Sequence, residues 1–309
     1  MTSLTSSPSI DQAALLNFND AFHQMAQQSQ SKLISSKAVK MAPSKGKTTN
    51  YGRIGRIELV EVSTRNPDKE YGDYALDNRQ FSKRRFTRTI TIDAKNDINE
   101  LIKDPTSDII TQLNNAKERV IDRIALAAAA GTVLVGQPDA APSSISAATD
   151  GVLTVDGTAG FTYDVVQLIT ENFINNELTD AMIAGTTLCV SGTEHTDLMG
   201  EVEFINNDYM SVNDVAKGLM NQAGVYQVAK FAGSKNGGIT VLSPFLPETT
   251  TQRTCMALAP ESILIAMELG RLEVEKSNIK VNSWDITIDF WINAMRTEGA
   301  RVQLITTTI

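Results

Sequence analysis

The sequence has few of the residues on which covalent and metal-based sites depend. Only two cysteines and two histidines occur among its 309 residues. Cys189 and Cys255 both lie in apolar, strand-like stretches, which favours buried, reduced thiols over a disulfide framework. His23 and His195 have no paired cysteine spacing around them, so they indicate no transition-metal site. We therefore predict no metal, no cofactor and no catalytic residues.

Long apolar runs and an excess of positive charge are also missing. The longest apolar run, within residues 123–131, is far shorter than the roughly 20 residues that a membrane helix requires. The first eight residues lack the basic and then hydrophobic pattern of a signal peptide, which predicts a cytoplasmic origin. The net charge of −8 argues against general nucleic-acid binding, which needs clustered lysine and arginine. We expect any nucleic acid nearby to be enclosed by the protein and not gripped by it.

Two short patterns approach enzyme motifs but fail on spacing. The run 46–48 resembles the end of a phosphate-binding loop, yet Met41 stands where the first glycine should be. Ser191, His195 and Asp197 are the residue types of a hydrolase triad, but they share one turn and its short helix, where that geometry does not form. Ser191 is more simply a helix N-cap and His195 an exposed helix residue. These patterns predict a protein without enzymatic activity.

The N-terminal residues 1–45 have the pattern of an arm that docks on another surface. Residues 1–10 are rich in serine and threonine and predict a flexible tip. A helix is predicted from Asp11 to about Ser35, because apolar residues that include Phe18 and Phe22 recur at spacings of three and four. The basic segment 37–47 follows and contains Pro43, which rules out a long helix.

Residues 46–95 predict a long charged hairpin formed by strands at 48–62 and 81–93. A hairpin that projects onto another subunit and an edge hairpin packed on its own domain remain equally open. The run 83–88 is basic, and acidic residues of the same hairpin are expected to pair with it within or between subunits, with a nucleic-acid site as the alternative. Together with the two arm phenylalanines, the candidate intersubunit contacts are Arg53, Arg56, Glu58, Lys83, Arg84, Arg85 and Arg88.

A long helix is predicted from Pro105 to Ala130, with Asp104 as N-cap and Gly131 as the stop. An apolar face extends over about six turns, which suggests a helix that crosses a sheet as a structural beam. The opposite, polar face is assigned to Lys117, Glu118, Arg119, Asp122 and Arg123.

The remaining chain predicts an α+β fold. Residues 137–160 read as a surface loop or small hairpin insertion, because they are rich in alanine, serine, glycine and turn signals. Helices are predicted at 163–176, 192–199 and 212–221, and strands at 187–191, 226–231 and 239–242. The C-terminal third is dominated by strands, at 255–258, 272–274, 286–295 and 301–307.

Several phrases, taken in order, resemble the major capsid proteins of tailed phages, whose fold is named after the Hong Kong 97 phage. Similar phrases occur in the long helix and its ends, in the central lobe and at the final turn between strands. They are Asp104-Pro-Thr-Ser107, Ala116-Lys-Glu-Arg-Val-Ile-Asp-Arg-Ile124, Leu188-Cys-Val-Ser191, Ala257-Leu-Ala-Pro-Glu-Ser-Ile-Leu-Ile-Ala266 and Met295-Arg-Thr-Glu-Gly-Ala-Arg-Val302.

This resemblance implies five regions. Residues 1–45 would form the N-arm and 46–95 the extended loop. Residues 96–136 would form the peripheral domain with its spine helix, and 137–270 the axial domain with an insertion loop. Residues 271–309 would be C-terminal strands that return to the peripheral domain.

The resemblance also implies a function. Copies of the chain would form hexamers and pentamers of an icosahedral shell around double-stranded DNA, with portal, scaffolding and possibly decoration proteins as partners, in a virion assembled in the host cytoplasm. An encapsulin-like cellular compartment shares the fold and remains an alternative, as does, less favourably, a soluble α+β hydrolase. We expect deletion of residues 1–45 to leave the body folded but to prevent closed shells.

Overall fold

The computed structural model describes residues 26–42, 46–61, 65, 72, 74–93, 106–136, 141–200, 238–242, 245–279 and 283–309. The arm positions Phe18 and Phe22, the helix start at Asp104 and the predicted elements at 212–221 and 226–231 lie outside these residues. The predictions made for them therefore stay predictions.

Helices and strands both contribute to the fold, as the α+β prediction states. The helices are α1 (Lys32–Ser35), α2 (Thr106–Ala130), α3 (Tyr163–Asn175), α4 (Asp180–Ala184) and α5 (Gly192–Gly200), with a 3-10 turn at Gly299–Arg301. The strands are β1 (Val39–Ala42), β2 (Thr48–Ile54), β3 (Leu76–Ser82), β4 (Arg84–Asp93), β5 (Val133–Val135), β6 (Ser143–Ile145), β7 (Leu153–Gly157), β8 (Thr187–Val190), β9 (Gly238–Val241), β10 (Gln252–Leu258), β11 (Ile263–Lys276), β12 (Ser283–Arg296) and β13 (Val302–Thr308).

A four-stranded sheet, which we call the long sheet, has the order β1-β11-β12-β4. β1 lies parallel to β11, and the other neighbours are antiparallel. Along β12, alternate residues such as Ile286, Ile288 and Ile292 are buried, and this strand packs against α2. The period of two in β12 and the apolar stripe of α2 therefore explain why helix and sheet meet face to face.

The 25-residue helix α2 confirms the predicted beam. It is about 37 Å long at 1.5 Å per residue, and it ends at Ala130, immediately before Gly131. Its polar face was partly misassigned, however. Arg123 is exposed, but Asp122 is fully buried, because a second stripe of the helix faces the arm segment before β1.

The five-stranded sheet has the order β7-β13-β10-β8-β9. The prediction of a surface loop or small hairpin at 137–160 was wrong for its second half. β7 lies parallel to β13 inside this sheet, and Val155 is 1% exposed. Val155 lies between exposed residues of β7. Because side chains alternate between the two faces of a strand, Val155 faces the core while its neighbours face solvent.

The hairpin prediction for 46–95 paired the wrong strands. β2 pairs with β3 over Thr48–Ile54 and Leu76–Ser82, whereas β4 pairs with β12 in the long sheet. Because β4 carries Phe86, Ile90 and Ile92 against the main core, it gains more apolar contact from β12 than from β2. A third sheet, in the order β2-β3-β5-β6, contains the hairpin of β2 and β3.

The arm prediction also needs correction within the described residues. The predicted helix to Ser35 does not continue through residues 26–31, and only Lys32–Ser35 are helical there. The segment after it, expected to be a basic docking arm, forms β1, and Ala38 and Val39 belong to the main core. The burial of Ala38 and Val39 therefore places this segment in the body of the protein, although the segment is basic.

The last strands do not all return to one sheet. β11 and β12 lie in the long sheet, whereas β13 pairs with β10 and β7 in the five-stranded sheet. The predicted boundary between residues 270 and 271 falls inside β11, at a register shift next to Gly270.

Candidate functional site

Exposed apolar side chains are concentrated on the hairpin of β2 and β3. We call residues 54–61, the end of β2 and the chain that follows it, the hairpin segment. Its Ile57, Leu59 and Val60 are 69%, 97% and 67% exposed, and Tyr74 on the returning chain is 56% exposed. Contiguous exposed apolar surface of this kind marks a site of interaction with another protein.

Charged residues of the same hairpin divide into two groups. Arg53 binds Asp77 across the hairpin at 2.6 Å, so it stabilises the hairpin itself. Arg56 lies 2.9 Å from Glu177 and 3.8 Å from Glu58, but Arg56 and Glu58 remain 69% and 81% exposed. The last two are therefore accessible to a partner.

Acidic residues of the hairpin were expected to pair with the basic run 83–88. Two residues of the run pair instead with carboxylates of the long sheet. The buried Lys83 ammonium pairs with Glu268 on β11. Arg85 binds Asp289 on β12 at 2.7 Å and lies over the ring of Trp291 at 5.4 Å. The hydrogen bond and the charge of Arg85 lower the pKa of Asp289.

Two further members of the run stay open to solvent. Arg84 and Arg88, which lie on the same strand as Arg85, are exposed. The side chains of alternate strand residues share one face, so these two and Arg85 do not all point the same way.

The root of the hairpin is fixed by a buried cluster of opposite charges, which the sequence analysis did not identify. Arg79 on β3 and Arg296 on β12 are both fully buried and both bind Asp150. The distances are 2.5 Å from Arg79 and 2.7 Å from Arg296. Arg296 also donates to the carbonyl oxygens of Ala129 at 2.8 Å and Gly131 at 3.0 Å, at the end of α2. The cluster joins the hairpin, α2 and the long sheet.

Opposing effects act on the carboxylate in this cluster. Burial raises the pKa of Asp150, but hydrogen bonds from Arg79 and Arg296 more than offset it, so the pKa lies below its ordinary value. The carboxylate is consequently charged in the folded protein at neutral pH, and its two partners hold it in place.

The arm is attached to α2 through two carboxylates. The Ser31 hydroxyl donates to Asp122 at 2.5 Å, and the backbone N–H groups of Lys32 and Leu33 donate to it at 3.0 Å and 3.3 Å. Glu118 accepts the backbone N–H of Ser31 at 3.2 Å. Asp122, which lies on α2, thus accepts hydrogen bonds from N–H groups at the start of α1 that have no acceptor within α1 itself.

A further buried carboxylate, that of Glu194, lies where a hydrolase triad was considered and rejected. Ser191 caps α5, as predicted, by accepting the N–H of Thr193 at 3.2 Å. Glu194 accepts the backbone N–H of Ser191 at 3.1 Å, binds Arg253 at 3.0 Å and accepts the hydroxyl of Thr307 at 2.8 Å. The Ser-x-x-Glu spacing of a capping box was the signal that could have found this cluster.

The same part of the fold contains His195 and the two cysteines. His195 is half-buried and not exposed as predicted, and burial lowers its pKa. Cys189 and Cys255 are both free and fully buried, which confirms the predicted burial. Burial raises the pKa of Cys255 to about 12, so the thiol stays protonated and unreactive at neutral pH.

A cavity of about 480 Å³ opens beside α1, and we call it the α1 cavity. Its apolar lining comes from Ile34, Val39, Met182 and Pro260. Its charged lining consists of Lys37, Lys40, Glu261 and Arg301. Lys40 and Glu261 form an ion pair at 2.8 Å, and this pairing raises the pKa of Lys40.

Among the described residues, no three side chains of histidine, cysteine, aspartate or glutamate are grouped so that they could hold a metal ion. None of the helices in the described ranges has both the length and the apolar content needed to cross a membrane.

The fold is shared with solved phage capsid structures. The chain aligns with the capsid of cyanophage P-SCSP1u at 14% identity and a TM-score of 0.62, over 96% of this chain and 94% of that one. With the capsid of Ralstonia phage GP4 the identity is 10% and the TM-score 0.65, over 100% of this chain and 98% of that one. For the head of Helicobacter pylori bacteriophage KHP40 they are 8% and 0.68, over 99% of both chains. These likenesses confirm the predicted Hong Kong 97 type fold.

The sequence itself gives the family. No curated protein sequence matches the chain. The family described as phage capsid protein, however, matches residues 10–308, which is nearly the whole chain. With the fold and the exposed hairpin already established, this match shows that the chain belongs to the phage capsid protein family and is a major capsid protein.

Proposed function

We propose that copies of this chain assemble into hexamers and pentamers that close into an icosahedral shell around double-stranded DNA. The observation that carries this proposal is the hairpin segment, whose Leu59 is 97% exposed on a hairpin held at its root by buried ion pairs. A rigidly presented apolar segment binds with little loss of conformational entropy. Interfaces of obligate assemblies bury upward of about 2,000 Å² and need such surface.

We also propose an assignment of the five regions. Residues 1–45 would be the N-arm and 46–95 the extended loop, while α2 and the long sheet would form the peripheral domain. The five-stranded sheet with α3 and α5 would form the axial domain. The pairing of β13 with β10 supports placing residues 302–308 in the axial domain and not with the other C-terminal strands.

Exposure divides the candidate contact residues. We assign direct intersubunit contacts to Arg56, Glu58, Arg84 and Arg88, whose side chains are exposed. Arg53, Lys83 and Arg85 are paired within the chain, so they would act by holding the contact surface in place. Phe18 and Phe22 remain candidates for arm contacts.

The partners follow from the shell. Portal, scaffolding and decoration proteins would bind assembled subunits in the host cytoplasm, and the finished shell would be part of the virion. The net charge of −8 suits a container that encloses DNA without reading its sequence, since tight phosphate binding would oppose packing and release. The role is structural and not enzymatic. An encapsulin-like compartment would enclose protein cargo, and the family match favours the phage role.

Electron microscopy of the purified protein, with size-exclusion chromatography and light scattering beside it, tests the proposal. We expect closed shells, or uniform rings of five or six subunits, whose contents are nucleic acid when they are purified from infected cells. A protein that stays monomeric when it is expressed together with the scaffolding and portal genes of its own virus would contradict the proposal. Shells filled with one cellular enzyme and no DNA would favour the compartment.

A further inference from the structure

The α1 cavity is lined by parts of the chain that are far apart in sequence. α1, β1 and α4 contribute to the lining, together with the turn before β11 and Arg301 of the 3-10 turn. Its volume of about 480 Å³ lies within the range of about 300–1,000 Å³ that is usual for small-molecule sites. We infer that this cavity binds a small phosphate monoester that carries a short apolar group. The inference goes beyond the proposed shell assembly and does not depend on it.

The charge of the lining identifies the ligand as an anion. Lys37, Lys40 and Arg301 share the cavity with one carboxylate, that of Glu261, which leaves an excess of two positive charges. A phosphate monoester carries about 1.5–2 negative charges at pH 7, so it matches this excess. A carboxylate or a phosphodiester carries a single negative charge and would neutralise only half of it.

The cations of the lining lie close to one another. The hydrogen bond and the charge of Glu261 raise the pKa of Lys40, whereas the charge of the nearby Arg301 acts to lower it. Arg301 binds Glu298 through its Nε atom at 3.0 Å, and none of the ion pairs among the described residues includes Lys37. An anion between these groups would offset their mutual repulsion. Guanidinium and ammonium groups are also the side chains that proteins use to bind phosphate oxygens.

The rest of the lining is apolar and indicates an organic ester. Ile34, Met182 and Pro260 line the cavity and remain partly exposed, and Val39 adds its side chain from β1. Inorganic phosphate would leave this apolar surface in contact with water. A short hydrocarbon group next to the phosphate would cover it, and each buried methylene group strengthens binding.

The backbone at the cavity is held in a conformation that side-chain-bearing residues rarely adopt. Within the described residues, positive φ values outside glycine occur at Lys37, Glu177 and Glu261, and two of these three line the cavity. The N–H of Glu261 donates to the carbonyl oxygen of Lys37 at 3.0 Å, which joins the two sides of the cavity. Residues strained in this way cluster at ligand sites, where the fold fixes the binding groups before the ligand arrives.

Calorimetric titration of the purified full-length protein tests the inference, with hexyl phosphate as the probe. We expect saturable binding at one site per chain with a Kd below roughly 1 mM. Inorganic phosphate lacks the apolar group and hexanol lacks the charge, so each should bind at least about tenfold more weakly. The midpoint of thermal unfolding should rise with the concentration of hexyl phosphate, because a ligand that binds only the folded state stabilises it.

Two positions test the assignment to this cavity. Lys37→Asn removes the charge, and asparagine tolerates the left-handed backbone, so binding should weaken at least about tenfold while the fold is kept. Lys276→Gln is its control, because Lys276 is an exposed cation that does not line the cavity. Met182→Glu places a negative charge in the lining and should abolish binding, whereas Met182→Gln has nearly the same shape and should retain most of it. Thermal unfolding without ligand shows whether each variant is folded, and the Met182 pair decides if Lys37→Asn is not.

Vesicles that contain phosphatidic acid distinguish two sources of the ligand, since a soluble ester and a lipid head group share the monoester chemistry. Sedimentation with these vesicles that Met182→Glu abolishes would assign the site to a lipid, and titration without sedimentation would assign it to a soluble ester. No binding of hexyl phosphate up to roughly 10 mM, equal binding of the three compounds, or binding that survives both Lys37→Asn and Met182→Glu would overturn the inference. Shell assembly is unaffected by any of these outcomes.

Discussion

The hydroxyl of Ser31 donates a hydrogen bond of 2.5 Å to the carboxylate of Asp122, and both residues are buried. The bond joins the segment before β1 to the C-terminal half of α2. It is reinforced by two backbone N–H groups on the same carboxylate. Asp122 therefore anchors residues 31–33 to α2.

Replacement of Asp122 tests this attachment. Asp122→Ala leaves several buried donors without an acceptor, and we expect a loss of about 3 kcal/mol in the free energy of unfolding. Urea denaturation measures the loss, and limited proteolysis should show earlier cleavage within residues 26–42. Arg123→Ala, at an exposed position of the same helix, should change stability by less than about 0.5 kcal/mol. Equal stability of the two variants would show that the carboxylate does not anchor the arm.

Truncation of the arm should depend strongly on where the cut is made. The sequence predicted that removal of residues 1–45 leaves the body folded, but Leu33, Ala38 and Val39 are buried in the main core. We now expect that deletion to unfold or aggregate the protein. Deletion of residues 1–25 keeps every contact described above and should leave a folded body. Circular dichroism and thermal unfolding of the two truncations distinguish them, and a stable, folded protein that lacks residues 1–45 would contradict the expectation.

Acid should weaken the hairpin root through Asp150. Because its pKa is lowered in the folded protein, its stabilising contribution is complete above the ordinary pKa of about 4 and is lost as the pH falls through the folded value. Asp150→Asn should cost about 3 kcal/mol at pH 7, since it leaves the buried Arg296 without a counter-charge and Arg79 with only the more distant Asp77, at 3.6 Å. Urea unfolding between pH 3 and pH 7 should show this difference shrinking below pH 4. A difference that stays constant over this range would exclude the ion pairs as its cause.

Gly299 is the position where a side chain is least tolerated near this cluster. An added Cβ would overlap the carbonyl oxygen of Asp150, which is backbone and cannot rotate away. We expect Gly299→Ala to cost about 2–3 kcal/mol, as overpacking does in well-packed regions, and to reduce soluble yield. Gly192→Ala is the control, because a Cβ there meets nothing within 4 Å. Chemical denaturation of both proteins gives the comparison.

Leu59 should matter for assembly and not for folding. Because the side chain is 97% exposed, Leu59→Asp should change the stability of the single chain by no more than about 0.5 kcal/mol. Assembly into shells, followed by sedimentation and electron microscopy, should nevertheless fall sharply, since a charge would be buried at the interface. Shells that form with normal yield would remove the hairpin segment from the interface.

Periodic elements were the part of the fold that the sequence predicted well. The apolar spacing in α2, the strands β8, β10 and β12 and the cap at Ser191 all follow from neighbours along the chain. Strand pairing was harder, because β2 could pair locally with either of two following strands. The choice of β3 depended on β4 having a better partner in β12, which is almost 200 residues away.

The candidate site, too, could be predicted from the sequence only in part. The charge of the hairpin was visible in the sequence, so its role as a contact surface could be proposed from it. The exposed Ile57, Leu59 and Val60 were not singled out from the sequence. The partners of Lys83, Arg85 and Arg79 could not be predicted, because Glu268, Asp289 and Asp150 approach them only after the sheets have formed.

The sequence by itself determined the helical beam, the strand-rich C-terminal third and the family, because these depend on local periodicity and on the order of short phrases. Only the tertiary structure decided which charges are buried. Asp122 and Asp150 look like surface residues along the chain, and each becomes the centre of a buried site because groups distant in sequence bring hydrogen bonds that offset its loss of water.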